Sequence, residues 1–222
     1  MEGQTALLAA LMAGIVATTV TVLIEKYGGV LGGILGTIPT TIIPAAIGMA
    51  SEGGDEALQL SLAIVPTGML INAIFLSTWA ILPNKLPMTW SSNKKLIVTC
   101  ISSLIIWTSA GIVAIQAVDL AIKNNYSAYQ ISIIGFLLVG TLGTIMCWNL
   151  KPAPKGKNQV NKIILFSRGF VAAIAIGIAV LISGLGMPLL AGLASVFPAI
   201  FLTSMVALWM AQGPSVPLGA AG

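Results

Sequence analysis

Hydroxyl-bearing and helix-breaking residues lie together in one apolar segment of the chain. They are Thr37, Pro39, Thr40, Thr41 and Pro44. A proline inside a helix removes one backbone hydrogen bond and displaces a carbonyl group, so this segment is expected to leave main-chain oxygens without helical partners. Non-helical backbone at membrane depth belongs beside a cavity. The segment predicts a solute site of carbonyl and hydroxyl oxygens; the alternative is a bent helix satisfied by its own threonines and by neighbouring helices.

Two other apolar segments carry polar residues at comparable depth. Ser195, Pro198 and Thr203 form a weaker counterpart of the first segment, and all three are assigned to the same substrate site. Asn72 is the most informative single side chain, because an amide in hydrocarbon needs a partner on another helix. We expect Asn72 either to contact the solute or to link two helices.

A charge inside an apolar segment predicts a gate. Arg168 lies about one and a half turns past Lys162, at the membrane face that also holds Glu25. Arg168 can extend to the membrane surface along its own long stem, or it can pair with Glu25 or an anionic group as part of an inner gate.

The composition explains why these residues belong in a membrane. Of the 222 residues, 57% are apolar and 7% are charged, against roughly 25% charged in a soluble domain. There is no histidine and there are only six carboxylates, which excludes Ser-His-Asp hydrolysis and His-ligated zinc. We therefore expect no enzyme activity, no cofactor, no metal site and no nucleic-acid partner.

Seven apolar runs have the length of about 20 residues that a membrane-spanning helix needs. They are Thr5 to Ile24, Gly28 to Met49, Leu58 to Leu82, Leu96 to Val118, Ile131 to Leu150, Ile163 to Ser183 and Leu189 to Gln212. The predicted fold is an all-α integral membrane protein with seven transmembrane helices in one polytopic domain, 1–222. The first run lacks a basic leader, so it is expected to stay in the protein as a helix.

The basic residues predict the orientation of these helices. One side of the membrane would hold nine of the ten, and the other side only Lys123. Short loops rich in lysine and arginine stay in the cytoplasm. The basic loops are therefore expected to be cytoplasmic and the N-terminus outside.

The chain also resembles itself at an offset of 159 residues, which places spans one and two on spans six and seven. Gly33 falls on Gly192 and Pro39 on Pro198. The partners are offset by five helices, an odd number, so the two copies cross the membrane in opposite directions. An inverted repeat of this kind is typical of secondary transporters, and matching Gly/Pro-broken helices indicate a midplane binding site.

The repeat divides the chain into a first repeat (5–82), central helices (96–150) and an incomplete second repeat (163–222). The second repeat would need an eighth helix, or a second copy of the chain, to complete it. A plan of three, two and three helices resembles the architecture of zinc-transporting ZIP proteins. Spans four and five contain no His, Asp or Glu, so the resemblance does not extend to zinc transport.

These patterns favour a multi-pass membrane transporter of a small solute, working by alternating access around the proline-broken second and seventh helices, with the lipid bilayer as its other partner. The absence of buried carboxylates and histidine favours a neutral or anionic solute. The alternative is a structural or scaffold subunit of a membrane complex, in which the glycine-rich stretch 28–36 contacts partner chains.

Overall fold

A computed structural model of the chain describes residues 2–27, 40–148 and 162–213, and every regular element in those ranges is an α-helix. In chain order the helices are α1 (Glu2–Tyr27), α2 (Ile42–Lys85), α3 (Ser92–Lys123), α4 (Ala128–Cys147), α5 (Lys162–Gly184), α6 (Pro188–Ser195) and α7 (Ala199–Gln212). The prediction of an all-helical chain is confirmed for these residues.

The helices have the length and surface of membrane-spanning segments. Six stretches in the described ranges are long and apolar enough to cross a bilayer, and one of them joins α6 and α7. Large apolar side chains face outward: Ile15 and Phe136 are each 68% exposed, and Phe170 is 57% exposed. Water would penalise so much exposed apolar surface, whereas lipid does not. The architecture is that of an integral membrane protein.

Helix α2 is interrupted at a single residue. Gly54 has φ 77° and ψ −178°, in the region of positive φ that glycine adopts without steric cost. We call the part before it α2a (42–53) and the part after it α2b (55–85).

The part before the break runs beside α5 and in the same direction. A Cβ on Gly48 would lie 2.5 Å from Val180 Cγ2, and a Cβ on Gly53 would lie 2.7 Å from Ser183 Oγ. Helices α2a and α5 are therefore parallel, and they end side by side.

The part after the break, α2b, reverses direction and lies parallel to α6. Ser61 Oγ donates to the carbonyl oxygen of Pro188 at 2.8 Å, and Asn72 Nδ2 donates to that of Val196 at 2.9 Å. Because α6 follows α5 after a turn of only three residues, 185–187, α6 and α2b run against α5 and α2a. The connection between the second and third predicted spans, which end at Met49 and begin at Leu58, is thus one glycine between two helices.

Small residues bring α1 and α5 into close antiparallel contact. A Cβ on Gly14 would lie 3.2 Å from both the Gly169 carbonyl oxygen and the Ala173 Cβ, and Gly169 in turn faces Thr18. Such small-residue faces let helix backbones approach closely in lipid, where van der Waals packing drives association.

Two helices extend beyond their predicted apolar ends because polar caps begin them. The Ser91 side chain accepts a hydrogen bond from Lys94 N at 3.4 Å and starts α3 at Ser92. A capping box between Ser127 and Gln130 starts α4. These caps satisfy N–H groups that the first turn of a helix leaves unpaired, so α3 begins at Ser92 before the predicted Leu96, and α4 begins at Ala128 before the predicted Ile131.

The contact between α6 and α2b predicts the effect of adding one methyl group. In Gly192→Ala the new Cβ would overlap the Ser61 carbonyl oxygen and lie 2.7 Å from Ile64 Cγ2. Overpacking of this kind costs about 1–3 kcal/mol, so we expect a lower midpoint of thermal unfolding in detergent. Gly143→Ala is the matched control, since a Cβ there meets no atom within 4 Å among the described residues. Equal midpoints for the two variants would contradict the packing described.

Candidate binding cavity at the broken helix

The predicted seventh span is interrupted near its middle. Helix α6 ends at Ser195 and α7 begins at Ala199, with Pro198 as the residue immediately before α7. Between the two helices, Ala199 N donates to the Phe197 carbonyl oxygen at 2.7 Å. The carbonyl group of Val196 lies in this non-helical link and is met by a residue of another helix.

Asn72 of α2b supplies that partner. Its Nδ2 donates to the Val196 carbonyl oxygen at 2.9 Å, and its Oδ1 accepts from Trp107 Nε1 of α3 at 2.8 Å. Asn72 is 4% exposed and Trp107 is 7% exposed. Both ends of the buried amide are thus hydrogen-bonded, as burial in a low-dielectric interior requires. The chain of two bonds connects α3, α2b and the break.

Aromatic and small residues hold the same junction. The rings of Trp107 and Phe197 meet edge to face, with centroids 5.3 Å apart and planes at 83°, an arrangement that aromatic pairs favour. A Cβ on Gly111 would lie 2.7 Å from Leu193 Cδ2, and one on Gly68 would overlap Val196. Side chains from the broken helix therefore fill space that these two glycines leave open.

A cavity of about 80 Å³ adjoins the break. One wall is the link between α6 and α7, from Ser195 to Phe201, and the facing walls come from Thr40 to Ile42 at the start of α2a, from α1 and from α5. The predicted second and seventh segments therefore meet here in space. Asn72 of α2b contacts Val196. Trp79 of the same helix packs on Trp209 of α7, so α7 runs with α2b. Since α2b runs against α2a, the two segments are antiparallel.

The polar groups at the cavity differ in how they are engaged. Thr21 Oγ1 donates to the Ala17 carbonyl oxygen and Ser195 Oγ to that of Gly192, each at 2.7 Å. Thr41 precedes α2a, and its side chain makes no capping hydrogen bond.

Two helices begin at this cavity. Ile42 starts α2a, and Ala199 starts α7; both residues line the cavity. The start of a helix carries a partial positive charge. Some first-turn N–H groups are already used here, because Ile43 N donates to the Thr40 carbonyl oxygen, Ala199 N donates to that of Phe197, and Pro44 has no N–H. An acceptor or anionic group placed between the two helix starts would be stabilised by both.

The predicted substrate residues fall into three groups by their position. Five of them line the cavity: Thr40, Thr41, Asn72, Ser195 and Pro198. Pro44 lies in the first turn of α2a, where a proline costs no hydrogen bond, and Thr203 donates to the Ala199 carbonyl oxygen within α7; neither lines the cavity. Thr37, Pro39 and the glycine-rich stretch 28–36 lie outside the described residues.

Of the two residues in the predicted gate, the structure describes the side chain of Arg168 only. Arg168 is 7% exposed and is therefore covered by protein. It precedes Gly169, which packs on Thr18 of α1. Glu25 lies about two turns beyond Thr18 on that helix, toward the end of the pair where α5 begins, but its side chain lies outside the described residues. The ion pair stays a prediction.

Trp107 and Phe197 are parts of this junction that the predicted site did not include. Trp107 stands alone in the middle of an apolar run, as Asn72 does in another. Two hydrogen-bonding side chains in the middle of apolar runs indicate that each needs a partner. The sequence does not show that they bond to each other. Phe197 is marked in the sequence only by the proline that follows it.

Comparison of the chain with protein-family models, curated proteins and solved structures finds no significant match. Among the described residues there is also no group of three or more His, Cys, Asp or Glu side chains placed to hold a metal ion. The geometry of the cavity and of its helices is therefore the basis for a functional proposal.

The buried amide predicts a loss of stability when its partners are left unpaired. Asn72→Leu strands the Val196 carbonyl group and the Trp107 N–H, and each stranded group costs about 1–3 kcal/mol. Trp107→Phe keeps an aromatic ring and strands only one group, Asn72 Oδ1, so it should be milder. The measurement is thermal unfolding of the detergent-solubilised chain, with Trp148→Phe as control because Trp148 is 77% exposed. If Asn72→Leu unfolds at the wild-type temperature, the amide does not hold the junction.

Proposed function

We propose that this chain is a multi-pass membrane transporter of a small solute, which it binds in the cavity at the break between α6 and α7. The observation that carries the proposal is that Thr40 to Ile42 and Ser195 to Phe201 line the same cavity. Broken helices that meet at a cavity are how transporters expose backbone groups to a solute within the membrane.

An inverted repeat is supported by the contact between α1 and α5. At the offset of 159 residues Gly14 corresponds to Ala173, and these two residues face each other. Residues 13–19 and 172–178 also show the same order of buried, half-buried and exposed positions. A two-fold axis through the Gly14 contact would relate the two helices in this way.

Two further contacts exchange under the same offset. Ala10 packs on Gly177, and Thr18 packs on Gly169. At the offset of 159 residues Ala10 corresponds to Gly169 and Thr18 to Gly177, so each contact is the counterpart of the other. The repeat continues to the breaks, because Pro198 before α7 corresponds to Pro39, shortly before α2a. In the proposed mechanism the two repeats tilt against each other about the cavity and open it alternately to each side.

The reversal at Gly54 supports a seven-helix topology. Counting α2a and α2b separately adds one to the six long apolar stretches. Because α2a covers only 42–53 and a crossing needs about 20 residues, this crossing would also require residues before Ile42. With seven crossings the excess of lysine and arginine faces the cytoplasm and the N-terminus faces outside. Arg168 and Glu25 would then lie toward the cytoplasmic end of α1 and α5, where the proposed inner gate belongs.

The cavity favours a solute that is neutral or anionic and small. Its volume of about 80 Å³ holds only a few non-hydrogen atoms. The described lining residues include no charged side chain, while two helix starts contribute N–H groups and partial positive charge. A hydroxyl, carboxylate or inorganic anion satisfies these groups.

Uptake into proteoliposomes tests the proposal. The panel comprises small carboxylates, inorganic anions and small polyols, and we expect at least one to enter faster than into protein-free liposomes. For that solute, Thr40→Ala and Thr41→Ala should each lower flux about tenfold, the effect of losing a hydrogen bond of about 1.4 kcal/mol.

Thr144→Ala is the matched control for these variants. Thr144 is exposed and donates to the Gly140 carbonyl oxygen of its own helix at 2.8 Å, so its loss should leave flux unchanged. Wild-type flux in both Thr40→Ala and Thr41→Ala would remove the site assignment. No uptake of any solute in the panel would count against transport of these classes.

One observation favours the second candidate function, a scaffold subunit of a membrane complex. An apolar crevice of about 320 Å³ lies between α3 and the α5–α6 hairpin, with Ile112, Ile178 and Leu190 among its walls. A helix of another subunit, or of a second copy, could occupy it.

Mass measurement after gentle extraction separates the two candidates. A transporter complete in itself should give a particle containing one or two copies of this chain, whereas an obligate scaffold should retain other proteins in fixed ratio. Native mass spectrometry from mild detergent reads this directly. A mixed assembly of constant composition would overturn the transporter as an independent unit.

A further inference from the structure

Two buried polar atoms lack hydrogen-bond partners among the described residues where α2a and α5 end side by side. They are Glu52 Oε1 and Ser183 Oγ. Ser183 is 1% exposed. Serine within a helix commonly donates to the carbonyl group four residues earlier, as Ser51 does to Ile47 at 2.9 Å. The Ser183 hydroxyl instead points at Gly53, where a Cβ would lie 2.7 Å from it.

The carboxyl group of Glu52 lies against the same end of α5. A Cβ on Gly184 would lie 3.5 Å from Glu52 Cβ and 3.7 Å from Glu52 Oε2. Gly53 and Gly184 therefore face the two polar side chains without side chains of their own. The oxygen atoms of Glu52 and Ser183 thus lie where side chains at positions 53 and 184 would otherwise fill the space.

The electrostatic surroundings are negative. Two helices end here, but α2b and α6 begin within four residues of those ends, so the partial charges of the helix termini offset each other. The negative charge comes from the carboxylates. The exposed carboxylates of Asp55 and Glu56 follow directly after the break. The chain contains no lysine or arginine between Lys26 and Lys85, and none after Arg168. No basic residue of these segments neutralises Glu52.

We propose that Glu52 and Ser183, with the adjoining carbonyl groups at the ends of α2a and α5, form a binding site for a monovalent alkali cation. Carboxylate, hydroxyl and carbonyl oxygens are the hard donors that such ions take. A single carboxylate close to the site balances one positive charge. The site is independent of the proposed transport function; in a transporter it would hold the coupling ion.

Thermal unfolding of the full chain in detergent tests the site. The protein is compared in lithium, sodium, potassium and choline chloride at equal ionic strength. At about five times its dissociation constant, the bound cation should raise the midpoint by about 2–4 °C over choline. The rise should saturate with concentration, because a site is filled, whereas screening of surface charges does not depend on which cation is present.

Variants locate the effect. Glu52→Gln should abolish the cation-dependent rise and Ser183→Ala should weaken it, while Glu56→Gln, which neutralises an exposed carboxylate four residues away, should retain it. Equilibrium binding of radioactive sodium to the monodisperse protein gives a second readout for any variant whose midpoint in choline is already low.

Two results would overturn the proposal. The first is the same midpoint in all four salts. The second is a cation-dependent rise that persists in Glu52→Gln.

Discussion

A hydrocarbon interior offers no hydrogen bonds, so every polar backbone group there must find its partner within the protein. The carbonyl group of Val196 shows how this constraint organises the chain. It lies outside helical geometry, between α6 and α7, and the Asn72 amide bonds to it while Trp107 holds the other end of that amide. The bonds tie the broken helix to two others, and the cavity lies beside this junction.

The two ends of α2a lie beside polar groups of different kinds. At the cavity, α2a and α7 begin, and their partial positive charge favours acceptors or anions. At the far end of α2a, the Glu52 carboxylate and the Ser183 hydroxyl offer oxygen donors to a cation. The single residue Gly54, at φ 77°, allows α2b to start at once after that end. A short helix with polar groups at both termini thus connects the two proposed sites.

Much of this arrangement was predictable from particular residues. Apolar runs bounded by charges predicted the helices, Pro198 predicted the break in the last long segment, and Asn72 predicted an interhelical hydrogen bond. The partner residues were not predictable. Trp107 is 35 positions from Asn72, and Val196 is 124 positions away, so neither pairing leaves a local pattern. Pro44 was assigned to the site with the other prolines, but a proline in a first turn breaks no hydrogen bond.

The sequence by itself determined that the chain consists of helices suited to lipid, because hydropathy and the position of prolines act over one or two helical turns. It also determined the excess of basic residues in alternate loops. Only the tertiary structure decided that Thr40 and Ser195 line one cavity and that Ser183 faces Gly53. Such contacts depend on how helices far apart in the chain approach each other, and in lipid that approach is governed by close packing of small residues rather than by hydrophobicity.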